Sequence, residues 1–316
     1  MTQQTIPVVN LNDFLSGNEA RRQKFVTTVG DALVQLGFFA LEGHGVDSDL
    51  IASSYQEAEN FFLKTESEKK KYEDPAIKGQ RGYTSFGREH AKNNSNPDLK
   101  EFWHVGREFA EDHELYDDYP QNIWPENSPG FKKTYLDLYN RLDTCSLEIL
   151  KACSLYIGQP ESYFADMATN GNTILRVIHY PPVDESMNPS SIRAAAHEDI
   201  NLITLLCEST ASGLELLERN GTWRPIHSIK GQIIVDAGDM LQNVTNGYFK
   251  STTHRVVNPD NSRERRFSIP FFVHPRSEVD LSPDAYCVQK TGGKAEFQNI
   301  TAGKFLHQRL AEIGLS

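Results

Sequence analysis

The chain changes texture near Asn172, and that change constrains the fold more than any other feature. Beyond it, short runs rich in Val, Ile, Phe and Thr recur between turn residues, at 173–180, 201–207, 214–218, 232–236, 250–257 and 265–274. Asn220-Gly221 and the Pro-Asp-Asn run at 259–261 mark turns between them. Short strands at this spacing predict an antiparallel barrel or jelly roll, architectures that bury one face of each strand and protect the sheet edges.

Before Asn172 apolar residues recur at helical spacing. Residues 18–36 place Phe25, Val26, Val29, Leu33 and Leu36 on one face, and Gly37 suits the C-terminal cap. A second helix is expected over 47–63, with a lysine-rich continuation to Tyr72, and the longest over 128–157, stopped by Gly158. Short strands are expected at 6–9 and 38–41, and a last helix at 301–313. The stretch 74–129 is rich in Gly, Asn, Asp and Pro and reads as a long covering loop. No repeat or low-complexity linker interrupts the chain, so residues 1–316 are expected to form one compact unit. Within it, 1–130 is an N-terminal α/β region with covering loops and 172–280 a jelly-roll core. The fold class expected is mainly β with flanking helices (α+β).

Composition narrows the partners. Hydrophobic residues at 38% and charged residues at 24% are ordinary for a globular protein. A net charge of −11 without a long basic run disfavours nucleic acid and anionic membrane surfaces, and no obligate protein partner is evident. The N-terminus lacks a basic start followed by an apolar stretch, and eighteen apolar residues never run together. Cys145, Cys153, Cys207 and Cys287 form no close pair, so buried free thiols in a reducing cytoplasm are expected rather than a disulfide framework.

Residues 194–206 read AAAHEDINLITLL. In a strand, positions two apart share a face, so His197 and Asp199 would present an imidazole and a carboxylate to one point. His-x-Asp is commonplace in a chain with ten histidines, and a hydrogen-bonded strand histidine is the competing reading. His254, in KSTTHRVV, supplies a second imidazole 57 residues downstream. Two histidines and one carboxylate on one face leave metal positions open, which suits iron(II) and O₂ chemistry. A hairpin symmetric about Asp260 would set Arg266 opposite His254, with Ser268 on the same face. That pairing offers a guanidinium fork and a hydroxyl to a carboxylate near the metal. The competing reading for Arg266 is a surface charge in an arginine-dense turn.

In this order the motifs resemble the 2-oxoglutarate and iron(II)-dependent dioxygenase superfamily, and more closely its isopenicillin N synthase-like branch. The resemblance rests on His197-Glu198-Asp199, His254-Arg255-Val256 and Arg266-Phe267-Ser268. It extends to IPVVNLNDF, LGFFALEGHGV, RGYTSFGRE, DLKEFWHVG, HYPP and GDMLQNVTNGYFKSTTHRV, and so covers nearly the whole chain. Glu198 stands where many members carry Thr, and would point away from the metal. The resemblance implies a double-stranded β-helix (jelly roll) with iron(II) on His197, Asp199 and His254. Arg266 and Ser268 would take the distal carboxylate of 2-oxoglutarate, with Tyr180 assisting or serving as an aromatic plug. The reaction implied is oxidative decarboxylation of 2-oxoglutarate to succinate and CO₂, coupled through O₂ to hydroxylation or a related oxidation of a small-molecule substrate. Arg176 matches a position that can face substrate. Tyr83, in the 82–106 loop, and Phe271 are further lining candidates, while His104 reads as a packed histidine. Aromatics with a cation would suit a small organic acid or an aromatic metabolite.

Three alternatives stay open at this point. An oxidase or cyclase of the isopenicillin N synthase type would keep iron and drop 2-oxoglutarate. A binding protein on the same scaffold would keep the cavity without catalysis. A zinc hydrolase is chemically conceivable but lacks His-Glu-x-x-His.

Overall fold

The computed structural model describes residues 5–88, 99–182, 193–257 and 264–312. Strand β1 (Val8–Asn10) leads into helix α1 (Leu11–Leu15), capped by the Asn10 side chain. Asn18 caps α2 (Glu19–Gln35), which ends at Gly37 in a left-handed conformation of φ +74°. A Cβ at Gly37 would lie 2.4 Å from the Lys250 carbonyl, so both the turn and the close approach require glycine. Strand β2 (Phe38–Glu42) follows, then α3 (Ser48–Phe62). The expected continuation to Tyr72 is a separate helix, α4 (Glu66–Lys69), begun by a Thr65–Glu68 capping box.

The region expected to be irregular contains two strands, β3 (Gly82–Thr84) and β4 (Glu101–Gly106), and β4 is buried along its whole length. Helix α5 (Pro129–Tyr156) has Pro at its first turn and is the longest element; α6 (Tyr163–Ala168) packs on it. Next come β5 (Ile174–Tyr180), β6 (Ala194–His197), β7 (Ile203–Leu206), β8 (Leu214–Leu217), β9 (Trp223–Pro225) and β10 (Ile233–Ala237). Helix α7 (Asp239–Val244) precedes β11 (His254–Val256), β12 (Arg266–Ser268) and β13 (Pro270–Val273). Helices α8 (Ala285–Lys290) and α9 (Ala302–Glu312) complete the described chain. Among the described residues no helix is long and apolar enough to cross a membrane.

Two sheets form the jelly roll. The larger runs β1-β2-β10-β7-β13-β5-β4-β3, with β12 also paired to β5; the smaller runs β6-β11-β8-β9. Alternation along the strands sets the layers. Phe39 and Leu41 of β2 join the core under α2, α3 and α5, while Phe38 and Ala40 face the smaller sheet and meet Leu214, Leu216 and Val256. At β2 the larger sheet is therefore apolar on both faces, as a strand sandwiched between two layers must be. Trp103 shows the scale of this packing: it lies edge-on to Phe61 at 4.8 Å and to Phe131 at 5.1 Å. Burying such a side chain contributes roughly 2–3 kcal/mol.

The described strands β11 and β12 do not form the hairpin expected between them. Strand β11 pairs with β6 and β8, whereas β12 pairs with β5 in the other sheet. Successive strands of a jelly roll cross between its sheets, so symmetric pairing about one turn fails here. The expected turn at 258–262, with its centre at Asp260, falls outside the described residues.

Candidate metal centre

His197 ends β6 and His254 begins β11, and the two are direct partners across that antiparallel pair. Partners of this kind share a face, which brings their ring centroids to 4.5 Å. Asp199 lies beyond the end of β6, so a single strand does not present His197 and Asp199 as expected. A loop returns the carboxylate instead. Its Oδ1 lies 3.9 Å from His197 Nε2 and 3.8 Å from His254 Nε2, and the three ligand atoms fall within 4.8 Å of one another.

The surroundings fix each donor. His197 Nδ1 faces the Ala195 carbonyl at 2.7 Å and His254 Nδ1 faces the Thr252 carbonyl at 3.2 Å. A carbonyl only accepts, so both Nδ1 atoms carry the proton and both Nε2 lone pairs point at Asp199. The Thr204 hydroxyl donates to Asp199 Oδ2. The start of α7 grips the loop by its backbone: the Asp239 amide donates to the Asp199 carbonyl at 2.7 Å and the Gly238 amide to Leu202 at 2.9 Å. A Cβ at Gly238 would stand 2.2 Å from the Asn201 carbonyl, so this grip needs glycine. Loss of surrounding water, and then the neighbouring His254, push the His197 pKa down to about 4. Neutral imidazoles with aimed lone pairs beside one carboxylate form a donor set that fits iron(II).

His197 and Asp199 open into a cavity of about 670 Å³, within the range for a small-molecule site. Its walls include Phe102 and His104 of β4, Ile174 and Arg176 of β5, Phe272 of β13, and Leu306 and Arg309 of α9. Further in, Arg266 stands in register with Tyr180 and Ser268 with Ile178, so all four share the inner face. The Arg266 guanidinium lies 5.1 Å from the Tyr180 ring centroid and its Nε donates to the Ala211 carbonyl at 3.2 Å. Arg266 is 1% exposed and its Nη1 has no partner. A buried guanidinium nitrogen left unsatisfied fits an anionic ligand.

Comparison with known proteins agrees with this geometry. Residues 6–127 match the family model of the non-haem dioxygenase in morphine synthesis N-terminal region, and residues 171–275 match that of the 2OG-Fe(II) oxygenase superfamily. A 2-oxoglutarate-Fe(II) type oxidoreductase of Aspergillus fumigatus is 30% identical over 84% of this chain and 81% of its own length. The chain belongs to the 2-oxoglutarate–iron(II) oxygenase superfamily. It is an iron(II)- and 2-oxoglutarate-dependent oxidoreductase. Among solved structures, a protein from Caulobacter crescentus assigned to the 2OG-Fe(II) oxygenase family superposes with a TM-score of 0.86 at 35% identity, covering 98% of this chain and 99% of that one. A full-length Neurospora crassa protein, crystallised in complex with alpha-KG, superposes with a TM-score of 0.86 at 28% identity, covering 97% and 95%.

The oxygenase places the remaining expected residues unevenly. Arg176 lines the cavity, with its guanidinium 4.3 Å from the Phe102 ring centroid and 5.3 Å from that of Phe272. Tyr83 does not reach the cavity: it is buried on the helix-facing side, where its hydroxyl donates to Glu101. Phe271 also points away, edge-on to Tyr139 of α5 at 5.0 Å, and its neighbour Phe272 takes the cavity wall. Strand alternation accounts for both corrections. His104 is more than a packed histidine. Its Nδ1 faces the Gly79 carbonyl at 2.7 Å, and its Nε2 accepts from Arg176 Nε at 2.6 Å. His274, set aside on sequence, reaches the wall as well, and burial pushes its pKa down to about 4.

Proposed function

We propose that His197, Asp199 and His254 hold iron(II), and that Arg266, Ser268 and Tyr180 seat the distal carboxylate of 2-oxoglutarate. In this reading Arg176, Phe102 and Phe272 orient a small planar substrate bearing a carboxylate or carbonyl edge. The observation that carries it is the order of side chains along one sheet face: Arg176, Ile178 and Tyr180 on β5, then Arg266 in register with Tyr180. Arg176 lines the cavity that opens onto His197 and Asp199, and Arg266 lies further along the same sheet face.

When bound, iron(II) and 2-oxoglutarate supply the oxidising chemistry. The chain's own part is to hold and orient. The Ala195 and Thr252 carbonyls keep the imidazole protons on Nδ1, and Thr204 fixes the Asp199 carboxylate. The aromatic walls, with Leu306 of α9, exclude water from the substrate and limit side reactions. A flat ring stacks on Phe102 or Phe272 while its polar edge meets Arg176. The Neurospora crassa relative was crystallised with thymine, a ring of this kind. The cavity volume supports a small-molecule partner. Four buried free cysteines support a reducing, cytoplasmic setting.

The test is a screen of planar acids and pyrimidines, with proline and homoarginine for contrast, read by substrate-stimulated succinate release. A planar compound with an acceptor edge is expected to stimulate release, and Arg176→Ala to raise its KM about tenfold or more. Stimulation by proline or homoarginine alone would contradict the substrate class.

A further inference from the structure

Arg266 has a second buried arginine beside it. Arg193, immediately before β6, is 1% exposed. Its Nη2 donates to the Glu264 carbonyl at 2.7 Å and its Nε has no partner. Glu264 stands two residues before Arg266, and the Arg266 charge acts on Arg193, so the two side chains are neighbours in the jelly roll. Burial lowers the Arg193 pKa, the charge of Arg266 lowers it further, and Tyr180 opposes both. Among the described residues no carboxylate forms an ion pair with either arginine. Two like charges buried together, each with an unsatisfied nitrogen, are costly unless an anion completes them.

We propose that Arg193 and Arg266 form a paired cationic seat for the distal carboxylate of 2-oxoglutarate, with Arg193 as its second cation. This rests on the cosubstrate reading given above and extends it to a residue that no family motif carried. One carboxylate has enough lone pairs for two guanidinium donors, so the pair is satisfied only when the ligand is bound. A rival role for Arg193 is a staple on the Glu264 carbonyl that supports β12 and never senses the ligand.

Iron(II)-loaded protein without O₂ separates these roles by calorimetric titration with 2-oxoglutarate and, to saturation, with pyruvate. Pyruvate keeps the 2-oxo acid end and lacks the distal carboxylate. Arg193→Met is expected to weaken 2-oxoglutarate binding about tenfold and leave pyruvate binding unchanged, with Arg193→Lys in between. Unchanged 2-oxoglutarate affinity, or equal weakening of both ligands, would overturn the proposal and leave Arg193 a staple. Arg266→Met runs alongside. If it discriminates between the ligands and Arg193→Met does not, the second cation alone is refuted. If Arg266→Met fails to discriminate, the cosubstrate seat lies elsewhere and both readings fall.

Discussion

Strands β4 and β5 carry buried polar groups on both faces, and the two faces end in opposite electrical states. Toward the helices, Lys69 Nζ lies 2.6 and 2.8 Å from the two Glu101 oxygens, His179 Nδ1 lies 2.8 Å from Glu101 Oε1, and Tyr83 donates to the same carboxylate. The His179 ring is stacked between Phe62 at 5.5 Å and Phe267 at 5.0 Å. Cation and anion balance there, so the cluster needs no charged ligand, although His179 Nε2 has no hydrogen-bond partner. Toward the interior the same strands and β12 present Arg176 and Arg266, with Arg193 adjoining, and two of these arginines retain unsatisfied nitrogens. A balanced buried charge is a structural device, whereas an unbalanced one marks where a ligand belongs.

Changing charge on each face sharpens the contrast. The largest effect is expected from Asp199→Ala at the open centre. It should abolish stoichiometric iron binding and lower turnover by more than about a hundredfold, since even loss of an outer partner costs up to that much. Metal analysis after gel filtration checks it, and the apoprotein should still unfold cooperatively in urea.

Glu101→Gln on the balanced face should do the reverse. Stranding Lys69 is expected to cost about 3–5 kcal/mol of stability in urea denaturation, with iron stoichiometry retained. Burial alone would raise the Glu101 pKa, but hydrogen bonds from His179, Lys69 and Tyr83 outweigh it and hold the carboxyl below its ordinary value of 4.5. A depressed carboxyl contributes stability that is present above 4.5 and lost as pH falls through the folded value. The wild-type advantage over Glu101→Gln should therefore shrink below about pH 4.5. An advantage that persists undiminished in strong acid would break the comparison.

Smaller effects should stay on one face. Thr204→Val removes the hydroxyl that orients Asp199 and is expected to weaken iron binding by about 10–100-fold, measured by competition with a chelator. His104→Phe keeps a ring but removes the acceptor for Arg176 Nε. It should raise KM for a substrate with an acceptor edge about tenfold, leave 2-oxoglutarate affinity unchanged, and recover in part with His104→Gln. A fall in kcat with KM unchanged would assign His104 a purely structural part.

The candidate metal cluster was legible in the sequence because few residue types can bind iron, and His197, Asp199 and His254, which the structure brings together, stand among apolar strand patterns. Arg266 was singled out by a false route: it pairs with Tyr180 of β5, whereas His254 lies in the other sheet. Choices that depend on register were not legible. Phe271 and Phe272 are equivalent in a one-dimensional reading, and only the pairing of β13 with β5 and β7 decides which reaches the cavity. Strand β4 was hidden because Glu101 and His104 interrupt its apolar pattern. The partners that make them buriable, Lys69 and the Gly79 carbonyl, come from distant sequence. Arg193 follows two serines and an isoleucine and looks like a surface residue until β6 and β12 enclose it.

Iron on the triad and 2-oxoglutarate on Arg266 are proposed to share one site. The most direct measurement adds 2-oxoglutarate to iron(II)-loaded protein without O₂ and follows the visible metal-to-ligand charge-transfer band, with Arg266→Met beside the wild type. A saturable band is expected in the wild type, and the variant should require at least about tenfold more 2-oxoglutarate to reach it. Iron binding with no band, or a variant that titrates like the wild type, would contradict it.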